Sequence, residues 1–261
     1  MSEISKISFS YLNSHRSILT KEEIDSSPIL TIIKENGDLF QNETIVLNAG
    51  GIINENANLN DGVTLFGNIN SNCDFVLSES SLSQIDSYQS YPYIFAIYYQ
   101  KQKKQYYIRT YSGEGSDSRI MFVKLTQGYD LVLKQKEIIS IGNTLLQLTP
   151  LEECLEVYFI TKTEEENIKD TDMKRIYDPR EISIITLGRD DNCTYVFKND
   201  KSFSRIQTTI IYENGNWVVK DGSSIKGSTN GTWVFGIHSF EIKSGMTVEI
   251  LTSKLRFDVS N

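Results

Sequence analysis

The sequence predicts an all-β protein made of two tandem β-sandwiches with antiparallel and mixed sheets, behind a short polar N-terminal tail. Three observations carry that prediction. Apolar residues alternate with period two, turn-forming clusters recur about every ten residues, and one stretch of chain reappears one domain length later. Residues 1–27 are polar and lack the short apolar block of a signal peptide, so they read as a flexible tail. Alternating runs follow at Ile94-Phe95-Ala96-Ile97-Tyr98-Tyr99, Tyr106-Tyr107-Ile108-Arg109, Asn216-Trp217-Val218-Val219 and Thr247-Val248-Glu249-Ile250. Between such runs lie Glu35-Asn36-Gly37-Asp38, Tyr111-Ser112-Gly113-Glu114-Gly115 and Glu213-Asn214-Gly215-Asn216, the last a type I′ hairpin signal. The run Lys101-Gln102-Lys103-Lys104 reads as a solvated hairpin tip, and the tyrosines from Tyr88 to Tyr107 as packing on half-wet strands. No amphipathic helix of three turns emerges; Thr163 to Tyr177 is acid-rich and fits an exposed loop or a short helix equally well.

The internal repeat divides the chain. Thr64-Leu65-Phe66-Gly67-Asn68, Asn72-Cys73-Asp74-Phe75-Val76-Leu77 and Ser81-Leu82-Ser83-Gln84-Ile85 are answered by Ile185-Thr186-Leu187-Gly188-Arg189, Asn192-Cys193-Thr194-Tyr195-Val196-Phe197 and Ser202-Phe203-Ser204-Arg205-Ile206. Gly142-Asn143-Thr144-Leu145-Leu146 likewise answers Gly245-Met246-Thr247-Val248-Glu249 as a turn before a final strand. The offset from Gly67 to Gly188, 121 residues, is that of a domain rather than of a solenoid. Domains are therefore expected at 28–150 and 151–261. The matched cysteines, Cys73 and Cys193, are expected as buried packing on equivalent strands, and Cys154 as a third free thiol.

Composition excludes much. Hydrophobic residues make up 39% of 261, and 11% are aromatic, enough for a folded core. Lys and Arg number 26 against 34 Asp and Glu, a net charge of -8, and each half carries -4, which argues against nucleic acid as a partner. No apolar run has membrane-spanning length, so an intracellular protein without a membrane partner, cytoplasmic or nuclear, is expected. His15 and His238 are the only histidines, Cys-x-x-Cys is missing, and Gly113-Glu114-Gly115 lacks the Lys-Ser/Thr of a phosphate loop. The sequence thus points to no catalytic residue, metal site or cofactor, and to no enzyme.

The second repeat carries a different chemistry. Gly188-Arg189, Ser204-Arg205 and Gly227-Ser228-Thr229-Asn230-Gly231-Thr232-Trp233-Val234 fall in three loops that could gather at one end of a sandwich. Arginine offers a planar fork of donors for phosphate oxygens, and hydroxyls and loop N–H groups complete an anion cradle. In their order and spacing these blocks resemble the signature of the forkhead-associated domain over residues 183–259. That family reads phosphothreonine with an Arg cluster. The resemblance implies phosphate binding by Arg189, Ser204, Arg205 and Thr229, peptide-backbone binding by Asn230, loop shaping by Gly188, Gly231 and Thr232, and core positions for Trp233 and Val234.

Gln207 stands where the family usually has a histidine that braces the loops, and the insertion Gly222-Ser223-Ser224-Ile225-Lys226 lengthens the third loop. The resemblance of the first repeat is fainter: Asn68 and Gln84 replace the two arginines, Ser83 remains, and Asp117-Ser118-Arg119-Ile120 stands for the Thr-Asn-Gly block. That copy reads as phosphate-blind. The expected function is a non-enzymatic adaptor that recruits a phosphothreonine-containing protein. The alternative is a scaffold subunit of a large protein assembly that makes phosphate-independent contacts. A further source of ligand is the chain's own Thr20, followed by Glu22 and Glu23 in an acidic kinase context.

Overall fold

Alternation gives one buried face along Gln105–Thr110, Glu137–Ile141 and Met246–Ile250, but Val63–Gly67 and residues 94–99 are buried on both faces, so Tyr98 and Tyr99 do not stand on a half-wet strand as expected. The computed structural model describes residues 18–53, 61–68, 73–83, 93–110, 120–126, 129–160, 173–236 and 238–260. In chain order, the first repeat supplies α1 (Lys21–Asp25), β1 (Ile29–Asn36), β2 (Thr44–Asn48), β3 (Gly51–Ile52), β4 (Val63–Gly67), β5 (Phe75–Val76), α2 (Glu79–Leu82), β6 (Tyr93–Gln100), β7 (Gln105–Thr110) and β8 (Met121–Lys124). Then come β9 (Leu131–Val132), β10 (Glu137–Ile141), β11 (Thr144–Leu151), β12 (Cys154–Phe159), β13 (Lys174–Tyr177) and β14 (Ile184–Gly188). The last are β15 (Tyr195–Val196), β16 (Thr208–Glu213), β17 (Asn216–Asp221), β18 (Trp233–Phe235), β19 (Phe240–Glu241), β20 (Met246–Ile250) and β21 (Ser253–Ser260).

The chain forms two compact units, and they interleave. One comprises residues up to Phe122 together with Gly236–Asn261; the other is Val123–Phe235. The proposed linear division at 150/151 would instead keep each repeat with its own last strands. In the first unit the strand orders are β3–β2–β1–β21–β20 and β5–β4–β6–β7–β19. In the second they are β13–β12–β11–β10–β18 and β15–β14–β16–β17–β9. The sheets are antiparallel apart from the short parallel pairs β4/β5 and β14/β15. The reason that sequence comparison does not reveal this arrangement is that both repeats end in equivalent strands, so either set could close either sandwich.

Each unit has its own core. Leu30, Ile32, Phe66, Phe95, Ile108, Val248, Leu255 and Phe257 are fully buried in the first, where Phe66 and Phe95 stack at 4.3 Å. In the second, Ile139, Leu146, Leu148, Val157, Ile185, Leu187, Ile210, Val219 and Val234 are fully buried. Trp217 is buried beside them and donates its indole N–H to Glu153 O at 2.7 Å, satisfying the one polar atom of its ring. The hairpin β16–β17 turns through Asn214 and Gly215 at φ +51° and +76°, the two positive values a type I′ turn requires.

Several expectations need correction. The tail is ordered at its end: Thr20 caps α1, its hydroxyl accepting the Glu23 N–H and the Glu23 carboxylate accepting the Thr20 N–H, while Leu19 is buried. This capping box accounts for the Thr20–Glu23 spacing, and releasing Thr20 as a ligand would first forfeit the cap, about 0.5–2 kcal/mol. Cys73 and Cys193 lie before β5 and β15 rather than in them and are half-buried; Cys73 does pack against Val63, Leu65, Ala96 and Tyr98, and the two thiols donate to the Asn68 and Arg205 carbonyls. The Gly142 turn precedes the last strand of its set and the Gly245 turn the penultimate one, so they are not equivalent. The tip at Lys101–Lys104 does turn β6 into β7. His15, Gln84, Gly113–Gly115, Asp117–Arg119 and most of Thr163–Tyr177 lie outside the described residues. Among the described residues no helix is long and apolar enough to cross a membrane, and no group of His, Cys, Asp and Glu could hold a metal ion.

Candidate functional site

Three loops of the second unit meet at one cleft. Strand β14 ends at Gly188, where a Cβ would fall 2.1 Å from the Arg205 carbonyl oxygen, so only glycine lets the first two loops approach this closely. The contact continues as a short ladder: Arg189 N–H donates to Ser204 O and Asp190 N–H to Arg205 O, both at 3.0 Å. The second loop is pinned by Phe203, fully buried and stacked on Phe197 at 4.2 Å, so the following Ser204 and Arg205 are held at the rim. Arg189 Nε donates to the Phe203 carbonyl at 2.5 Å, which fixes the guanidinium beside the cleft that Arg189 lines.

The third loop is fastened from behind. Asp221, at the end of β17, accepts from Ser228 N–H (2.9 Å), Ser228 Oγ (2.6 Å) and Thr232 Oγ1 (3.0 Å). Thr232 is fully buried and also shares a hydrogen bond with Thr208 Oγ1 at 2.8 Å. Thr229 joins the second loop to the third: its N–H donates to Ser204 Oγ at 2.9 Å, and Ser204 Oγ donates to Thr229 Oγ1 at 3.3 Å.

Gln207 ties all of this together. It is fully buried; its Oε1 accepts the Ser204 N–H at 2.9 Å, and its Nε2 donates to Ser228 Oγ at 2.7 Å and to Gly231 O at 2.8 Å. An amide presents both an acceptor and two donors, so one side chain braces two loops.

The resulting cleft, about 420 Å³, is lined by Arg189, Asp190, Ser204, Arg205, Ile206, Ser223, Lys226, Gly227 and Thr229. Four sequence-predicted binding residues, Arg189, Ser204, Arg205 and Thr229, therefore stand together. Asn230 is exposed beside the cleft but not in its lining, its amide donating to Ser202 O at 2.7 Å. Gly231 and Thr232 support the loop from within. The core expectation holds for Val234 but not for Trp233, which is half-buried: it alternates to the other face, donates Nε1–H to Asn230 O at 3.0 Å and lies under the Lys124 ammonium at 5.8 Å.

Sequence reasoning missed Asp190, Ser223 and Lys226. Ser223 closes the inserted loop on itself, its N–H donating to Lys226 O at 2.9 Å and its Oγ accepting the Lys226 N–H at 3.1 Å, and this brings Lys226 to the cleft. A basic residue in an insertion beside the Thr-Asn-Gly block was the available signal. The Asp190 carboxyl is held below the usual carboxylate range by the Asn192 backbone N–H and side-chain amide and by the charge of Arg205. Three cations and one carboxylate give the lining a net charge of +2. That suits a phosphate monoester, which carries about -1.5 to -2 at neutral pH.

In the first unit, Asn68 follows β4 where Arg189 follows β14, and it is buried at 4% exposure, whereas Arg189 is exposed.

Residues 185–251 match the FHA domain family model. That family model describes phosphopeptide-binding, protein-interaction modules, which are typically non-catalytic. The match contains all three cleft loops and runs on into β20, past the point where the chain leaves the second unit. Neither a curated protein nor a solved structure matches the chain.

Proposed function

We propose that this protein is a non-enzymatic adaptor whose second unit captures a phosphothreonine segment of a partner protein. The observation that carries this reading is the cleft in which Arg189, Ser204, Arg205 and Thr229 converge while Gln207 braces the loops behind them. In this reading the two guanidinium groups and the Ser204 and Thr229 hydroxyls take the phosphate oxygens. Asn230, on the rim, takes the peptide backbone. Hydrogen bonds to charged groups contribute about 1.5–3 kcal/mol each, so three give a gross gain of about 5–9 kcal/mol. Ordering the peptide offsets part of that, and micromolar affinity, about -8 kcal/mol, is expected when flanking contacts add to it.

The scaffold alternative draws on the first unit, where the buried Asn68 replaces the loop arginine and offers no comparable cation. The two readings separate on a peptide array probed with the full chain. An adaptor binds phosphothreonine peptides, discriminates against their unphosphorylated forms and loses the signal in Arg205→Ala. A scaffold shows no dependence on phosphate, and that outcome would sink the adaptor reading.

A further inference from the structure

The sandwich that carries the cleft is closed by strands of the first repeat. β9 pairs with β17, β10 with β18, and β11 with β12, while β19 and β21 pair with β7 and β1 in the first unit. The two closing sets are related by a constant 109 residues: β9, β10 and β11 begin at 131, 137 and 144, and β19, β20 and β21 at 240, 246 and 253. Their hairpins are equivalent, with Ile141 facing Thr144 in one and Ile250 facing Ser253 in the other. The first turn residue has φ +55° at Gly142 and +56° at Leu251. A chain in which each repeat closed itself would therefore place Leu251 where Gly142 now lies.

A side chain at that position would have to displace Ser202, whose Oγ is held on Asp200 Oδ1 at 2.5 Å. A Cβ on Gly142 would fall 2.3 Å from Ser202 Oγ, 3.2 Å from Phe203 Cε2 and 3.3 Å from Ser202 Cβ. Ser202 and Phe203 lead directly into Ser204 and Arg205. Their carbonyls also hold two site residues, Asn230 through Nδ2 at 2.7 Å and Arg189 through Nε at 2.5 Å. In the first unit the fit is reciprocal: Ser253 Oγ accepts the Leu39 N–H at 3.1 Å and occupies the place where a Cβ on Gly37 would fall. Its counterpart, Thr144, is one methyl larger.

We propose that Gly142 is a positioning residue of the phosphate-binding cleft, and that its fit against Ser202 and Phe203 selects the crossed closure in which 131–151, rather than 240–260, completes the cleft's sandwich. The positioning half rests on the phosphate reading above; the closure half does not. Each half is tested in the full chain.

For the closure, Cys73, Cys154 and Cys193 are replaced by serine, and cysteine pairs are introduced. Thr31 faces Asp258 across β1 and β21, and Thr149 is the residue 109 positions before Asp258. Thr31→Cys with Asp258→Cys forms a disulfide under mild oxidation, and Thr31→Cys with Thr149→Cys does not. The opposite pattern, or failure of the first pair to close, overturns the crossed closure.

For positioning, Gly142→Ala lowers phosphothreonine-peptide affinity at least tenfold, and adding Ser202→Ala restores most of it. Gly215→Ala serves as the comparison, because Gly215 also has positive φ, +76°, but faces open space; its affinity stays within twofold. Unchanged binding in Gly142→Ala, or no recovery with Ser202→Ala, overturns the positioning role. If the unaltered chain binds no phosphopeptide, the phosphate reading and the positioning role fall together, and the cysteine pairs still decide the closure.

Discussion

Replacing Gln207 by alanine removes three hydrogen bonds from a fully buried side chain, those to the Ser204 N–H, Ser228 Oγ and Gly231 O. Ser228 Oγ retains Asp221 and the Gly231 N–H, so the groups left without a partner are the Ser204 N–H and the Gly231 carbonyl. A buried polar group without a partner costs about 1–3 kcal/mol, which puts the variant about 2–6 kcal/mol below the parent in local stability. The loops freed are the two that carry Ser204 and Thr229, so phosphopeptide affinity falls at least tenfold, about 1.4 kcal/mol. Gln207→Glu keeps the volume but offers no donor in its charged form, and behaves like alanine. Gln207→His keeps one donor and one acceptor and stays within a few fold of the parent. Calorimetric titration gives the affinities, and hydrogen exchange at Ser204 and Gly231 gives the local stability. Gln207→Ala binding as tightly as the parent, with unchanged exchange at both amides, would refute the bracing argument.

Other outcomes follow from the same geometry. Arg189→Ala and Arg205→Ala each remove a charge-assisted contact of about 1.5–3 kcal/mol, so titration shows a loss of about 10- to 150-fold. Lys226 is exposed; Lys226→Ala weakens binding less than about fivefold, and raising the salt concentration abolishes the difference. Since the Asp190 carboxyl is already held low by Asn192 and Arg205, it remains charged throughout mildly acidic conditions. The ligand's second phosphate ionisation, near pH 6, therefore sets the pH dependence. Affinity declines as pH falls through that value, and Asp190→Asn retains the decline. Thr20→Ala removes the cap of α1 and costs about 0.5–2 kcal/mol, read as faster amide exchange over residues 21–26 with phosphopeptide binding unchanged.

Much of this was readable beforehand because it depends on local rules. Alternation located the strands, the Asn214-Gly215 pair specified its turn, and the three blocks around Arg189, Ser204 and Thr229 sit on loops at one end of one sandwich. What escaped depends on comparisons between equivalent pieces of chain. Sequence matched the Gly142 turn to the Gly245 turn, whereas the strands pair Gly142 with Leu251; the likeness of 131–151 and 240–260 cannot by itself say which set closes which sandwich, and the missing Cβ at Gly142 against Ser202 becomes meaningful only in three dimensions. Thr20 followed by Glu22 and Glu23 has the appearance of a kinase context, yet Glu23 is the third residue of α1 and closes a capping box with Thr20. Lys226 reaches the cleft only because Ser223 folds the insertion back on itself, a contact that no spacing rule announces. Trp233 and Val234 are neighbours in a strand, so alternation buries one and leaves the other half-open.

Phosphothreonine recognition is proposed for the cleft between the Gly188-Arg189, Ser204-Arg205 and Thr229 loops. Calorimetric titration of the full chain with a phosphothreonine peptide selected on the array, beside the same peptide unphosphorylated and the Arg189→Ala variant, tests it most directly. The expected result is saturable binding in the micromolar range that disappears without the phosphate and weakens at least tenfold without Arg189. Binding indifferent to both the phosphate and Arg189 would contradict it.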